Sequence, residues 1–124
     1  PGLRTVHGIL VLRLNAPLFW VNAASSASLI LKAVDDTPDS RIVVIDLEAT
    51  QQLDTTSADT LRELIEVLRG RGIDVYLVRV SRLARRVLGS ADVIDELGLD
   101  HMWRTISQGV RAAKRAAKDA DASS

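Results

Sequence analysis

The apolar run Ile42-Val43-Val44-Ile45-Asp46-Leu47 passes through a polar connection into a strongly marked helix start at Gln52-Leu53-Asp54-Thr55-Thr56-Ser57. A short continuous run of aliphatics is the signature of a strand covered on both faces. The helix that follows carries Leu61, Leu64, Ile65 and Leu68 on one stripe, turns Arg62, Glu63, Glu66 and Arg69 outward, and meets its stop at Gly70 and Gly72. A covered strand feeding a one-sided helix belongs to a layered α/β fold. The three hydroxyls at the helix start sit where backbone N–H groups and the positive dipole end are exposed. Such a place holds a phosphate, accepts a phosphorylation or caps the helix.

The remaining elements are read in the same way. Gly8 to Leu14 is rich in aliphatics, Asn15-Ala16-Pro17 interrupts it, and Leu18-Phe19-Trp20-Val21 follows, which predicts an opening antiparallel strand pair. Asn22 offers a cap, and Ala23, Ala27, Ile30, Leu31 and Val34 fall on one face of a first helix over 22–35. Asp36 to Ser40 reads as a turn, so Ile42 to Leu47 becomes the central strand. Ile73 to Val80 is a further strand, and Leu83, Val87 and Leu88 mark a short helix ending near Gly89. Val93, Ile94, Leu97 and Leu99 make an apolar patch around Gly98. The last helix is expected over 105–118, with Ile106, Val110, Ala113 and Ala117 inward and a disordered tail over 119–124. Strands alternating with helices imply parallel pairing through right-handed crossovers. The expected fold is one α/β domain over 1–118: a mixed, mostly parallel sheet of four to five strands with about four to five helices.

Composition narrows the function classes. A chain of 124 residues, 47% hydrophobic, buries roughly two thirds of its unfolded surface in a single core. It has no cysteine, and its two histidines, His7 and His101, lack paired ligands at metal-binding spacing. Sixteen Lys and Arg balance sixteen Asp and Glu, so no global field draws the domain to nucleic acid. No apolar run approaches the roughly 20 residues of a spanning helix, and the first residues lack the pattern of a signal peptide. The opening Pro1-Gly2, without methionine, is expected of a segment from a longer polypeptide. Neither histidine has a nucleophile and orienting acid in context, and Asp35-Asp36 and Asp95-Glu96 sit in turn-like or surface settings, so catalysis is not expected.

The order of parts resembles a STAS domain, the module shared by SulP-type sulfate and anion transporters and by anti-sigma factor antagonists. The similarity spans nearly the whole chain. Leu12-Arg13-Leu14-Asn15-Ala16-Pro17-Leu18-Phe19-Trp20-Val21-Asn22-Ala23 is similar to the transporter branch, where a strand ending in an aromatic leads to an Asn-Ala pair. Val44 to Leu47, Leu53 to Thr56, Leu61 to Leu64, Gly72 to Val75, Arg85 to Leu88 and Trp103 to Ile106 fall where such members carry similar residues. The resemblance implies a non-catalytic regulatory domain, C-terminal to the membrane region of a bacterial SulP-type transporter and on the cytoplasmic face of the membrane. Its implied partners are that membrane region, a second copy or a cytosolic regulator. The alternative is a freestanding anti-sigma factor antagonist switched at Thr56, and a third reading is a sensor of guanine nucleotide. Two departures stand out. Antagonists carry a glycine after the phosphorylated hydroxyl, where this chain has Ser57, and Glu48 to Gln52 is more polar than the family pattern.

These readings single out four groups of residues. Asp54, Thr55, Thr56 and Ser57 form the candidate phosphorylation or partner loop, whose plain alternative is a capping box of Thr56 with Asp59. Asp46, Ser81 and Arg82 fall at the carboxyl ends of parallel strands, where open α/β sheets bind ligands, and join Thr55 and Thr56 in a candidate nucleotide or ligand rim. No Gly-rich phosphate loop accompanies that rim. Phe19 and Trp20 are either core or, for whichever ring alternation turns outward, a docking surface for the membrane region. Arg111, Lys114, Arg115 and Lys118 make one face of the last helix basic, which suits a solvated helix end or a bilayer headgroup contact.

Overall fold

The computed structural model describes residues 3–6, 8–13, 23–37, 39–48 and 54–123. Five strands, β1 (Leu3–Val6), β2 (Ile9–Arg13), β3 (Ile42–Asp46), β4 (Asp74–Val78) and β5 (Met102–Trp103), form one sheet in sequential order. β1 pairs antiparallel with β2, and every later pairing is parallel. The helices are α1 (Ala23–Asp35), α2 (Thr55–Gly70), α3 (Arg82–Ser90), α4 (Val93–Leu97) and α5 (Ile106–Ser123), with a 3₁₀ turn at Leu99–His101 between α4 and β5.

Strand alternation sorts the core into two layers. Leu10, Leu12, Val43, Ile45, Val75 and Leu77 face the helices α1 to α4, where they meet Ile30, Val34, Leu61, Ile65, Leu68, Leu88 and Leu97. The intervening Ile9, Val11, Ile42, Val44, Tyr76 and Val78 face the other way, against Ala113 and the inner flank of α5. β3 is buried at all five positions because it is covered on both sides, which explains its unbroken apolar sequence. Each such aliphatic contributes about 1.5–3 kcal/mol on leaving water.

Two glycines make this packing feasible. Gly72, at φ +79°, closes a Schellman motif at the end of α2: its N–H donates to the Arg69 carbonyl (2.9 Å), and the Ile73 N–H donates to the Leu68 carbonyl (2.9 Å). Gly109 lies inside α5, and a Cβ there would stand 2.4 Å from Val78 Cγ1. The helix therefore rests on the sheet at a distance only glycine allows.

The central strand, the first helix and the α2 stripe stand where the sequence places them. β2 pairs antiparallel with Leu3–Val6, a strand the sequence did not announce, while the predicted partner Leu18 to Val21 lies outside the described residues. Leu83, expected to help mark the buried side of α3, is 58% exposed, and Ala84 and Leu88 are buried instead. Leu99 of the expected apolar patch is also exposed. The last helix continues to Ser123, past the predicted end at Lys118.

Candidate functional site

The carboxyl ends of β2, β3 and β4 lie side by side, and the charged residues they deliver are tied to one another. Asp46, the last residue of β3, is 1% exposed. Its Oδ1 accepts from Arg79 Nε (3.1 Å) and from the Glu48 N–H (2.9 Å), and its Oδ2 accepts from a terminal nitrogen of the same guanidinium. Arg79 also pairs with Glu48, which lies 3.9 Å from Arg13. To make this reach, Arg79 adopts φ +56°, a left-handed backbone rare for a side chain of its size, and its N–H donates to the Trp103 carbonyl (3.1 Å). The Asp46 hydrogen bond, foremost, holds the guanidinium's pKa above its ordinary value. Asp46 is thus a buried anchor of the edge, with both oxygens already engaged.

Asp54, and not Thr56, caps α2. Its extended backbone (φ −90°, ψ 169°) lets Oδ1 accept from the Ser57 N–H at 2.7 Å. Hydrogen bonds from the Ser57 side chain, then from its backbone, hold the Asp54 carboxyl below the usual range. The predicted capping box of Thr56 with Asp59 is therefore corrected by two residues. Burial of Ser57, Ala58 and Leu61 sets the helix phase, and a carboxylate at position 54 already meets the free N–H. Thr55 and Thr56 are exposed in the first turn, and the Thr56 carbonyl accepts from Thr60 Oγ1 (3.1 Å). Ser57, the residue in place of the antagonists' glycine, is 2% exposed.

Ser81 caps α3, its hydroxyl accepting from the Ala84 N–H at 3.1 Å, and Arg82 next to it is exposed. The rim expected from the sequence is present as an edge, yet among the described residues no hydrogen bond or ion pair joins the side chains of Thr55, Thr56 or Arg82 to the Asp46 cluster. Phe19 and Trp20 lie outside the described residues.

Two features escaped the sequence reading. One is Arg79, whose position in an apolar strand run gave no hint of its turn toward Asp46. The other lies at the opposite, amino edge of the sheet. His101 stacks on Tyr76 (4.4 Å between centroids) and sits between Asp74 Oδ2 and Asp100 Oδ1, each 2.8 Å away. The bond from His101 lowers the Asp100 carboxyl's pKa, while burial above all raises the Tyr76 phenol. Arg69 reinforces this corner through Asp74 (3.4 Å) and the Leu97 carbonyl (3.2 Å). Among the described residues no group of His, Cys, Asp and Glu is arranged to hold a metal ion, and no helix is long and apolar enough to cross a membrane.

Beside β5 runs an open groove of about 450 Å³ lined by Val80, Arg85, Met102, Trp103, Arg104 and Gln108. Gln108, one of its lining residues, is held by a capping box at the start of α5. The Gln108 N–H donates to Thr105 Oγ1 (3.0 Å), and Gln108 Oε1 accepts from the Thr105 N–H (3.3 Å) and the Arg104 N–H (3.2 Å).

Among the described residues, a four-strand parallel sheet with an antiparallel edge strand carries four helices on one face and one on the other, an α/β architecture whose carboxyl edge is internally neutralised. The chain belongs to the STAS domain family, whose model matches residues 1–113. It is 33% identical over 116 residues to a protein of Mycobacterium tuberculosis strain H37Rv named "Probable sulfate transporter Rv1739c", and 25% identical over 122 residues to "Sulfate transporter 3.1" of Arabidopsis thaliana. The matches take in 93% and 90% of this chain but 21% and 18% of those proteins, so the chain spans about a fifth of the curated relatives' length. Those relatives are named as transporters, not enzymes. The fold is shared with a sulfate transporter family protein of Wolinella succinogenes (TM-score 0.79, 21% identity, 93% of this chain and 92% of that one). It is also shared with the SulP transporter STAS domain of Vibrio cholerae (TM-score 0.71, 20% identity, 86% and 81%).

Proposed function

We propose that this domain is the regulatory and protein-interaction module of a SulP-type anion transporter, held at the cytoplasmic face of the membrane and acting on the membrane region of its own polypeptide. The observation that carries this reading is the match to a named sulfate transporter over 93% of the chain but only 21% of the relative, which leaves room beyond the domain for a membrane-embedded part. The carboxyl edge suits a non-catalytic module, because its charged groups are spent on Asp46–Arg79–Glu48 cohesion. This reading calls on no guanine nucleotide. The exposed Thr55, Thr56 and Arg82 are the groups a second copy or a cytosolic regulator would meet.

Deleting residues 1–124 from the full-length protein, with transport of radiolabelled sulfate as the assay, tests the proposal. The expected result is impaired folding, delivery or rate with anion preference unchanged. Transport that persists at the parent rate, or a changed preference, would overturn it.

Exposure of Thr56 gives the alternative its one specific support. A freestanding antagonist would be phosphorylated there, and a stressosome component shares the fold (TM-score 0.73, 18% identity). A full-length product without spanning helices would favour that reading.

A further inference from the structure

Charge in this chain is balanced overall but segregated in space. Arg13, Arg62, Arg69, Arg71 and Arg79 each reach a carboxylate. Residues 102–118, by contrast, contain Arg104, Arg111, Lys114, Arg115 and Lys118 and no Asp or Glu. Among the described residues none of these five cations has an ion-pair partner. All five are exposed.

Packing fixes which way they point. Ala113 is buried against the sheet, Ile106, Val110, Ala116 and Ala117 pack around it, and Gly109 brings the helix into contact with Val78. Gln108, Arg111, Arg115 and Lys118 follow one another at spacings of three and four on the opposite flank, with Lys114 beside them. From Arg104 to Lys118 the row extends about 20 Å at 1.5 Å per residue. At its start Trp103, 37% exposed, has its indole N–H engaged by the Asp100 carbonyl (2.9 Å), which leaves the ring's apolar surface as its free part. Arg85 faces the same groove from α3.

We propose that this face, Arg104 to Lys118 with Trp103 at its head, docks on the anionic headgroup layer of a bilayer. The inference rests on the transporter reading for its setting, since a domain tethered to a membrane region meets headgroups at high local concentration. A row of cations about 20 Å long, ending just before Asp119 and headed by a ring that is polar at one tip and apolar elsewhere, suits a plane of anionic charge. A folded protein partner would select by shape, and this flank is a row of flexible cations. Clusters of four or more Lys and Arg on one helix face are the pattern that anionic lipid recognises, and Trp is favoured at the interface.

The test uses the 124-residue chain and sedimentation with vesicles. One set contains phosphatidylcholine with about one third phosphatidylserine, and the other pure phosphatidylcholine. Binding is expected to the first set only, and to vanish near 1 M salt, where the screening length falls to about 3 Å. Replacing Arg111, Lys114 and Arg115 together by Gln should weaken binding on the order of 100-fold, at roughly 5-fold per cation. The control Arg13→Gln, Arg62→Gln, Arg71→Gln, with the same change in net charge, should bind within a few-fold of the parent. In a Trp20→Phe background, Trp103 emission should shift to the blue on binding.

Equal binding to pure phosphatidylcholine, insensitivity to salt, or equal loss in the control overturns the proposal. So does capture of a Glu-rich peptide by this face without vesicle binding. The two readings fail separately. Vesicle binding by a domain whose deletion leaves transport untouched removes the functional reading alone, whereas absent vesicle binding with deletion-sensitive transport removes this inference alone.

Discussion

Arg79 reaches across from the end of β4 to close both carboxylate oxygens of Asp46 at the end of β3, and it does so from a left-handed backbone. The pair locks adjacent parallel strands together at the edge where α/β sheets usually open a ligand site. Because Asp46 is buried, its charge needs that partner.

Removing the acceptor tests the lock. Asp46→Ala strands the Glu48 N–H and the Arg79 guanidinium, and should cost about 2 kcal/mol in urea unfolding. Arg79→Gly should be milder than Arg79→Ala, since glycine adopts φ +56° without strain while either change loses the pair. Asp46→Ala combined with Arg79→Gly should cost less than the two single changes added together. Strict additivity would show that the two residues are not coupled.

Gly109 offers a second test, in which intrinsic propensity and packing point in opposite directions. Alanine at an exposed helix interior position gains about 1 kcal/mol over glycine. At Gly109 the new Cβ would lie 2.4 Å from Val78 Cγ1, and an overpacked core costs about 1–3 kcal/mol. Gly109→Ala is therefore expected to destabilise by about 1 kcal/mol net, and Val78→Ala, which removes the clashing methyl, should reverse the sign of the substitution. A midpoint raised by Gly109→Ala in the parent background would mean that α5 has room to accommodate a methyl group against Val78.

What the sequence made legible, and what it hid, follows from how far each signal reaches along the chain. α2 was readable because four buried residues repeat at helical spacing over a long segment, and β3 because five successive aliphatic or acidic positions are covered on both faces. β5 has two residues and β1 has four, Leu3-Arg4-Thr5-Val6, too short for a period to show. The cap of α2 was misplaced because Asp54, Thr56 and Ser57 are all good caps locally, and only the buried phase of Ala58 and Leu61 chooses between them. The turn of Arg79 toward Asp46 and the seat of His101 on Tyr76 join residues far apart in sequence, so no local pattern announces either.

The cap also makes stability depend on acid. Asp54 is held below its ordinary pKa by bonds from Ser57, so its contribution is complete above the unfolded carboxyl value, about 3.9, and is lost as pH falls through the lower folded value. Asp100 behaves in the same sense through His101. Melting temperature should therefore fall on acidification below about pH 4. Asp54→Asn keeps an acceptor oxygen without the charge, so it should lower stability at neutral pH and flatten the acid limb. An acid limb as steep in Asp54→Asn as in the parent would assign that dependence to other carboxylates.

The last prediction concerns a negative charge at the start of α2. Thr56 is the second residue of the helix and exposed, whereas Ser57 beside it is 2% exposed. A carboxylate or phosphate near a helix N-terminus gains about 0.3–1 kcal/mol from the dipole, and at Thr56 the Asp54 charge opposes that gain through water-screened space. The two effects nearly cancel, so Thr56→Glu should melt within about 3 °C of the parent, and Thr56→Ser, which removes no cap, should be silent. Ser57→Glu instead forces an unpaired charge into a closed site at a cost of several kcal/mol and should unfold the domain. A charge at Thr56 is therefore felt only by whatever docks on this edge. Thermal melting of the three variants, with transport by full-length protein carrying Thr56→Glu, separates the cases. A Thr56→Glu domain that melts far below the parent would mean that the residue is a structural part of the cap. One that melts and transports like the parent would mean that this surface carries no charge-sensitive contact.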